Sequence, residues 1–128
     1  MEKLVFTYGT LCKGFGNHSV IQHSTTELLG EAKTSAKYTL MDGGFPIVER
    51  GGETSVKGQV FKVKNPDTLK RVYSLEGYSG TPSNEGGDNW YDIDTVETEW
   101  GTAEIFVMNQ NASGRNNVIE HGDWRKNH

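Results

Sequence analysis

One well-bounded helix signal constrains this chain more than any other feature. Asn65 precedes Pro66 and Asp67, an order in which the Asn side chain caps a helix, Pro fits its first turn and Asp lies at its positive end. Gly77 follows as a residue suited to the left-handed turn beyond a helix C-terminus. The pattern predicts a helix over residues 66–75 or 66–76.

Strand-like segments lie on both sides of this helix. They cover residues 3–8, 28–40 with Gly30 as an interruption, 45–48, 56–63, 90–97 and 102–109. The last two are separated by a turn at residues 99–101 and predict an antiparallel hairpin. Strands before and after one good helix are typical of an α+β domain rather than a doubly wound sheet.

The remaining segments carry weaker signals. Asn17 or Ser19 predicts the start of a short helix, and residues 42–44 predict a turn. Residues 79–89 predict an irregular loop. The polar segment 110–128 is predicted to be partly irregular, with Val118, Ile119 and Trp124 as its anchors.

Composition narrows the classes of protein and partner. With 128 residues the chain can bury one core, so we expect a single domain over residues 1–128. A net charge of −4 argues against nucleic acid and anionic membranes as partners. One cysteine excludes an internal disulfide, and neither it nor the four histidines show metal-ligand spacing. The short start lacks the pattern of a signal peptide, so we expect a cytoplasmic protein. No sequence feature indicates an oligomer, and a monomer is the default expectation.

A glycine-rich loop follows the first strand. Gly9 and Gly14 have the spacing of a phosphate-binding loop, but Phe15 and Gly16 occupy the positions that require Lys and Ser or Thr. The dinucleotide-binding pattern also fails, because its third glycine is missing. Two interpretations stay open: backbone N–H groups that bind an anion or oxyanion, or an ordinary turn.

Glu76 is the first candidate for acid–base chemistry. Leu69, Val72, Tyr73 and Glu76 have the spacing of one helix face, so the carboxyl continues an apolar stripe. Burial there would raise its pKa toward the range useful for proton transfer. The alternative is a solvent-exposed charge at a helix end.

Two further sets of side chains receive structural interpretations. Cys12 lies in the glycine-rich loop without an assigned base, which favours an inert thiol. Trp90, Tyr91 and Trp100 are interpreted as aromatic residues of the core and the hairpin.

Several motifs together resemble one family. Residues 8–11, Tyr-Gly-Thr-Leu, resemble the Tyr-Gly-Ser/Thr-Leu signature of the gamma-glutamylcyclotransferase-like family, also called the avirulence-induced-gene-like family. Residues 75–78, Leu-Glu-Gly-Tyr, resemble the segment that carries its catalytic glutamate. Further similarities lie at Phe45-Pro46, at residues 56–60, at Tyr91, Gly101 and Ala103, and at Gly122-Asp123-Trp124, which is like the end of small bacterial members.

This resemblance implies a fold and an activity. The fold is a closed or nearly closed mixed β-barrel with flanking short helices and a cavity at one end. The activity is cyclisation of a γ-glutamyl amine or peptide to 5-oxoproline and a free amine, with Glu76 as general acid and base and no metal or cofactor. The implied substrate-binding residues are Tyr8, Gly9, Thr10, Leu11, Tyr78 and Tyr91.

The chain also departs from the family pattern. Cys12 stands where a basic residue is common, Tyr73 where an aspartate is frequent, and Asp92 and Ile93 follow Tyr91 where an arginine is expected. These departures leave the γ-glutamyl substrate undefined. Two alternatives to the enzyme therefore stay open, a non-catalytic small-molecule-binding or protein-interaction module and a structural protein on the same fold.

Overall fold

The computed structural model describes residues 2–42, 46–108 and 118–127. The strands are β1 (Lys3–Thr7), β2 (Glu27–Lys33), β3 (Tyr38–Asp42), β4 (Pro46–Arg50), β5 (Lys57–Val63), β6 (Tyr91–Thr98) and β7 (Gly101–Met108). The α-helices are α1 (His18–Ile21) and α2 (Pro66–Leu75), and short 3-10 helices cover Ser83–Glu85 and Trp124–Asn127. The predicted α+β class is therefore confirmed.

The described strands form one five-stranded sheet and one separate hairpin. The order in the larger sheet is β2-β5-β1-β7-β6, with β1 antiparallel to β5 and parallel to β7. Strands β3 and β4 pair with each other as a hairpin, and β3 also makes isolated bridges from Tyr38 to Thr54 and from Met41 to Val118. The central position of β1 agrees with its apolar sequence, since its last three residues are buried.

The expected closed or nearly closed barrel is wrong, because the sheet ends at β2 on one side and at β6 on the other. A barrel needs a continuous backbone hydrogen-bond ladder between its first and last strands. Here the indole of Trp100, in the β6–β7 turn, lies against Gly30 of β2, where an added Cβ would be 2.9 Å from its Cη2 atom. The Trp100 side chain therefore lies between β2 and the β6–β7 turn.

The two faces of β1 contribute to two hydrophobic clusters. Phe6 and Tyr8 pack in a cluster with the β3–β4 hairpin and the buried residues Ile119 and Trp124. Val5 packs in the other cluster, to which α2 contributes its buried side chains. The strand therefore connects both halves of the core, and the turn that follows it starts from a fixed position.

Helix α2 begins and ends as predicted. The Asn65 Oδ1 atom accepts hydrogen bonds from the N–H groups of Asp67 (2.8 Å) and Thr68 (3.1 Å). At the other end Gly77 has a φ of +68°, in the left-handed region. The N–H of Gly77 donates to the carbonyl of Ser74 (3.1 Å) and that of Tyr78 to the carbonyl of Tyr73 (2.8 Å). This pair of bonds is a Schellman motif, which stops the helix and turns the chain.

Most of the other predicted elements are confirmed with shifted bounds. The β6–β7 hairpin and α1 are present, but Gly30 lies within β2 at a β-bulge instead of interrupting the segment. Ile119 and Trp124 are buried as predicted, whereas Val118 is 45% exposed. The predicted turn at 42–44 lies largely outside the described residues, as does all of residues 110–117. None of the helices in the described ranges is long and apolar enough to cross a membrane.

The contact between β5 and β1 predicts how two glycines differ. Gly58→Ala should destabilise the protein by about 1–3 kcal/mol, because the new methyl carbon would lie 1.9 Å from the Thr7 carbonyl oxygen. Gly16→Ala is the matched control, since nothing lies within 4 Å of its Cβ position. Urea unfolding measures both variants, and equal midpoints would contradict the close approach.

Candidate active site

A pocket of about 560 Å³ opens where three elements meet: the turn after β1, the end of α2 and the start of β6. Its described lining consists of Phe6, Thr7, Tyr8, Gly9, Thr10, Leu11, Asn17, Pro46, Ser74, Leu75, Glu76, Gly77, Trp90, Tyr91 and Phe106. Residues from the two separate family-like motifs, at 8–11 and 75–77, thus face one cavity.

The turn after β1 lines this pocket and carries unpaired backbone donors. It closes through a 3.0 Å hydrogen bond from the Cys12 N–H to the Gly9 carbonyl. The N–H groups of Gly9, Thr10 and Leu11 have no acceptor in the described part of the chain. Donors at successive positions of a turn can together bind an anion or a developing oxyanion.

Contacts from outside the turn fix its shape. Asn17 donates from its backbone N–H to the Thr10 carbonyl (2.9 Å) and from Nδ2 to Thr10 Oγ1 (2.9 Å). A Cβ at Gly9 would lie 2.2 Å from Cγ of Pro46, so only glycine fits against that ring. Unpaired N–H groups in residues that line the pocket agree with the first interpretation of the glycine-rich loop, which is binding of an anion or oxyanion.

Glu76 is the only charged residue in the described lining of the pocket. As the C-cap residue of α2, it occupies the helix end where a negative charge is disfavoured. Its side chain is half-buried, and no hydrogen bond from a described group reaches its carboxyl. Desolvation raises the pKa of Glu76 from 4.5 to about 7. At neutral pH the carboxyl therefore exists in both protonation states and can accept or donate a proton.

Two tyrosines form walls of the pocket. The Tyr8 hydroxyl donates to the Phe106 carbonyl (2.6 Å), and the Tyr91 hydroxyl donates to the Pro46 carbonyl (3.0 Å). Burial raises the pKa of both hydroxyls, and the nearby charge of Glu76 raises each further. Both hydroxyls therefore remain protonated, and Tyr91 holds the proline that packs against the turn.

Tyr78 does not line this pocket, in contrast to its predicted position. The Schellman motif returns the chain toward the helix, and the Tyr78 ring packs edge-on against Tyr73 with 5.3 Å between centroids. Such a contact between the residues flanking a Schellman turn is a common part of that motif.

Several lining residues were not identified from the sequence as site residues. Asn17 is the N-cap residue of α1, as one of the two sequence options predicts, but its side chain makes no capping bond and binds Thr10, a contact that no local pattern indicates. The interpretation of Trp90 as a core aromatic is wrong, since it is 73% exposed at the pocket.

Cys12 is buried, and burial raises the pKa of its thiol, as expected for an unreactive residue. Within the described ranges, no group of three His, Cys, Asp or Glu residues is placed to hold a metal ion.

Known proteins similar to this chain agree in family and fold. A family model described as "Gamma-glutamyl cyclotransferase, AIG2-like" matches residues 5–126. A Vibrio cholerae protein named "Putative gamma-glutamylcyclotransferase" is 40% identical over 126 residues, covering 97% of this chain and 96% of that protein. A Methanocaldococcus jannaschii protein of the same description is 37% identical over 75 residues, or 58% of this chain and 61% of that protein.

Two crystal structures show the same fold at lower identity. An uncharacterized protein from Pyrococcus horikoshii is 24% identical, with a TM-score of 0.74 over 97% of this chain and 91% of that one. An AIG2-like protein from mouse is 19% identical, with a TM-score of 0.72 over 96% of this chain and 88% of that one. The arrangement of sheets and short helices described above is therefore shared with these two proteins.

The raised pKa of Glu76 predicts a pH-dependent difference in stability. A carboxyl that holds its proton more tightly in the folded state stabilises the protein below pH 4.5. This stabilisation by the Glu76 proton is lost as the pH rises through about 7. Between about pH 5 and about pH 8, Glu76→Gln should therefore gain stability relative to wild type, by on the order of 1–3 kcal/mol. Urea unfolding at both pH values measures the gain.

Glu99→Gln provides the control, because it removes the same charge from an exposed position in the β6–β7 turn. If the Glu76→Gln variant differs from wild type equally at both pH values, the carboxyl is not desolvated.

Proposed function

Because this chain belongs to the gamma-glutamyl cyclotransferase, AIG2-like family, we propose that it cyclises a γ-glutamyl amine or peptide to 5-oxoproline and a free amine. The observation that carries this proposal is the juxtaposition of the Glu76 carboxyl, whose pKa is raised to about 7, with a turn of unpaired N–H groups in one pocket. The first group suits proton transfer and the second suits binding of negative charge.

Glu76 carries the proton in this reaction. Its carboxylate takes a proton from the substrate α-amino group, whose nitrogen then attacks the γ-carbonyl carbon. A carbon–nitrogen bond forms and closes a five-membered ring, and the bond to the leaving nitrogen breaks as Glu76 returns the proton to that nitrogen. The α-amino nitrogen reacts as the neutral amine: it keeps one proton in the lactam, and Glu76 moves the other to the leaving nitrogen.

The turn at residues 8–11 binds the acidic part of the substrate. Its N–H groups receive either the α-carboxylate or the oxygen of the reacting carbonyl as negative charge develops there. Asn17 holds the turn through Thr10, and Tyr91 holds it through Pro46. Because the reaction is intramolecular, positioning both ends of the glutamyl group supplies much of the rate enhancement.

The reaction balances without an added cofactor. The substrate divides into 5-oxoproline and an amine, with no net gain or loss of protons, electrons or water. This chain's own residues therefore suffice for the proposed step, with a carboxyl to move the proton and backbone donors to stabilise charge.

Replacement of Glu76 tests the proposed function. Glu76→Gln keeps the shape of the side chain but cannot carry a proton, so 5-oxoproline release should fall by about 10²–10⁴-fold. Mass spectrometry quantifies 5-oxoproline from a panel of γ-glutamyl amines and dipeptides, with Glu99→Gln as the charge-matched control that keeps wild-type activity.

Equal release by wild type and Glu76→Gln would remove this residue from the mechanism. If no compound gives product while calorimetry shows that wild type binds one of them, the alternative function, a non-catalytic small-molecule-binding module, is favoured.

A further inference from the structure

Gln59 of β5 holds the turn after β1 at both of its ends. Its carbonyl accepts a 3.2 Å hydrogen bond from the hydroxyl of Thr7, the last residue of β1. Its side-chain Oε1 accepts a 2.8 Å bond from the Lys13 N–H, on the far side of the turn. The unpaired N–H groups of residues 9–11 lie between these two anchors. A residue outside the described pocket lining therefore fixes where the donor-bearing segment begins and where it ends.

The Gln59 amide is fixed in one orientation. The residue is buried, and Lys13 offers it a backbone N–H, which can only donate. At the other end the Glu31 carboxylate accepts a 3.0 Å bond from Gln59 Nε2. Rotating the amide by 180° would oppose donor to donor and oxygen to oxygen. A buried amide is costly unless it is paired, and here its partners are the turn and Glu31.

Glu31 connects Gln59 to the C-terminal segment, residues 118–127. Its two carboxylate oxygens accept hydrogen bonds from Arg125, at 2.7 Å from Nη2 and 3.1 Å from Nη1. Arg125 also donates from Nε to Oδ1 of Asp123 (2.9 Å), and its side chain is only 14% exposed. A two-point pair between arginine and carboxylate restricts the rotation of both groups. The oxygen that faces Gln59 is thus held in place.

The C-terminal segment contacts the glycine-rich loop a second time. The ring of the buried Trp124 lies 5.8 Å from the ring of Phe15, measured between centroids. The Phe15 N–H donates to the Cys12 carbonyl (3.1 Å), which connects this ring contact to the turn. Two separate contacts therefore join the C-terminal segment to the loop that carries the donors.

We propose that Gln59 is a positioning residue of the reaction, which sets the direction of the N–H donors at residues 9–11 without touching the substrate. Glu31 and Arg125 act through it by keeping its amide in place. This inference rests on the proposed function, in which those donors receive the α-carboxylate or the reacting carbonyl oxygen. Donors stabilise charge best when they are already aimed at it. Loss of the anchor at Lys13 therefore lowers the rate without removing any group from the pocket.

Amide hydrogen exchange followed by ¹⁵N NMR tests the positioning without any turnover. The Cys12 N–H closes the turn by donating to the Gly9 carbonyl, so its exchange measures local opening. In Gln59→Met, whose side chain has similar length but cannot replace these hydrogen bonds, we expect this amide to exchange about tenfold faster. Amides of the β6–β7 hairpin should change by a smaller factor, because they measure opening of the sheet. Gln22→Met is the control, since Gln22 is exposed.

Kinetics test the consequence for the reaction. Gln59→Met should lower kcat/KM for 5-oxoproline release about tenfold, whereas Gln22→Met should keep the wild-type value. Glu31→Ala should also lower kcat/KM, and Glu31→Gln, which keeps an oxygen for Gln59 Nε2, should restore most of the loss. Glu27→Ala is the matched control on the same strand. Glu27 also pairs with a cation, Lys64 (3.0 Å), and its side chain is exposed like that of Glu31.

A double variant tests whether Glu31 acts through Gln59. In the Gln59→Met background, Glu31→Ala should cause no further loss of kcat/KM, because the contact that it removes is already absent. Additive losses would contradict this route.

The outcomes separate this inference from the proposed function. A wild-type kcat/KM in Gln59→Met, or equal acceleration of exchange at Cys12 and in the hairpin, overturns the inference and leaves the function standing. If Gln59→Met does not fold, Glu31→Ala decides by the same two measurements. If wild type turns over no γ-glutamyl compound, the function fails and exchange alone decides. Selective acceleration at Cys12 then supports the anchoring of the turn by Gln59, and its absence overturns that as well.

Discussion

The candidate site is organised around one buried carboxyl, that of Glu76. Its ionised form is unfavourable, because neither water nor a cation fully compensates the negative charge. The residue caps the C-terminal end of α2, so the helix dipole opposes its charge, and desolvation raises its pKa to about 7. Gly77 contributes to this geometry, because it ends the helix in a left-handed turn and leaves room for the side chain of Trp90. The desolvation of Glu76 therefore both lowers the stability of the protein at neutral pH and allows this carboxyl to exchange protons there.

The sheet supplies the partner for this carboxyl. β1 lies between β5 and β7, is buried at its last three residues, and leads directly into the turn of N–H donors. The turn is rigid because of contacts from distant parts of the chain: Asn17 binds Thr10, and Pro46, held by the Tyr91 hydroxyl, packs on Gly9. Residues separated by more than 60 positions in the sequence are therefore positioned across one pocket.

Local signals were sufficient for part of this arrangement. The start of α2 at Asn65 and its end at Gly77 were predicted because capping chemistry acts over a few residues. The raised pKa of Glu76 follows from its place on the apolar stripe. The open sheet, the exposure of Trp90 and the rotation of Tyr78 onto Tyr73 were not predicted, because each depends on packing between segments that no local pattern specifies.

The central claim is that Glu76 changes its protonation state near neutral pH, and its carboxyl carbon can be observed directly. A ¹³C NMR titration of protein labelled in glutamate, with the Glu76→Gln variant to assign the signal, measures this pKa. We predict a midpoint of about 7 for the signal that the variant lacks. A midpoint near the ordinary glutamate value of about 4.3 would contradict it, because a carboxyl already ionised well below neutral pH is not desolvated and is a poor proton carrier.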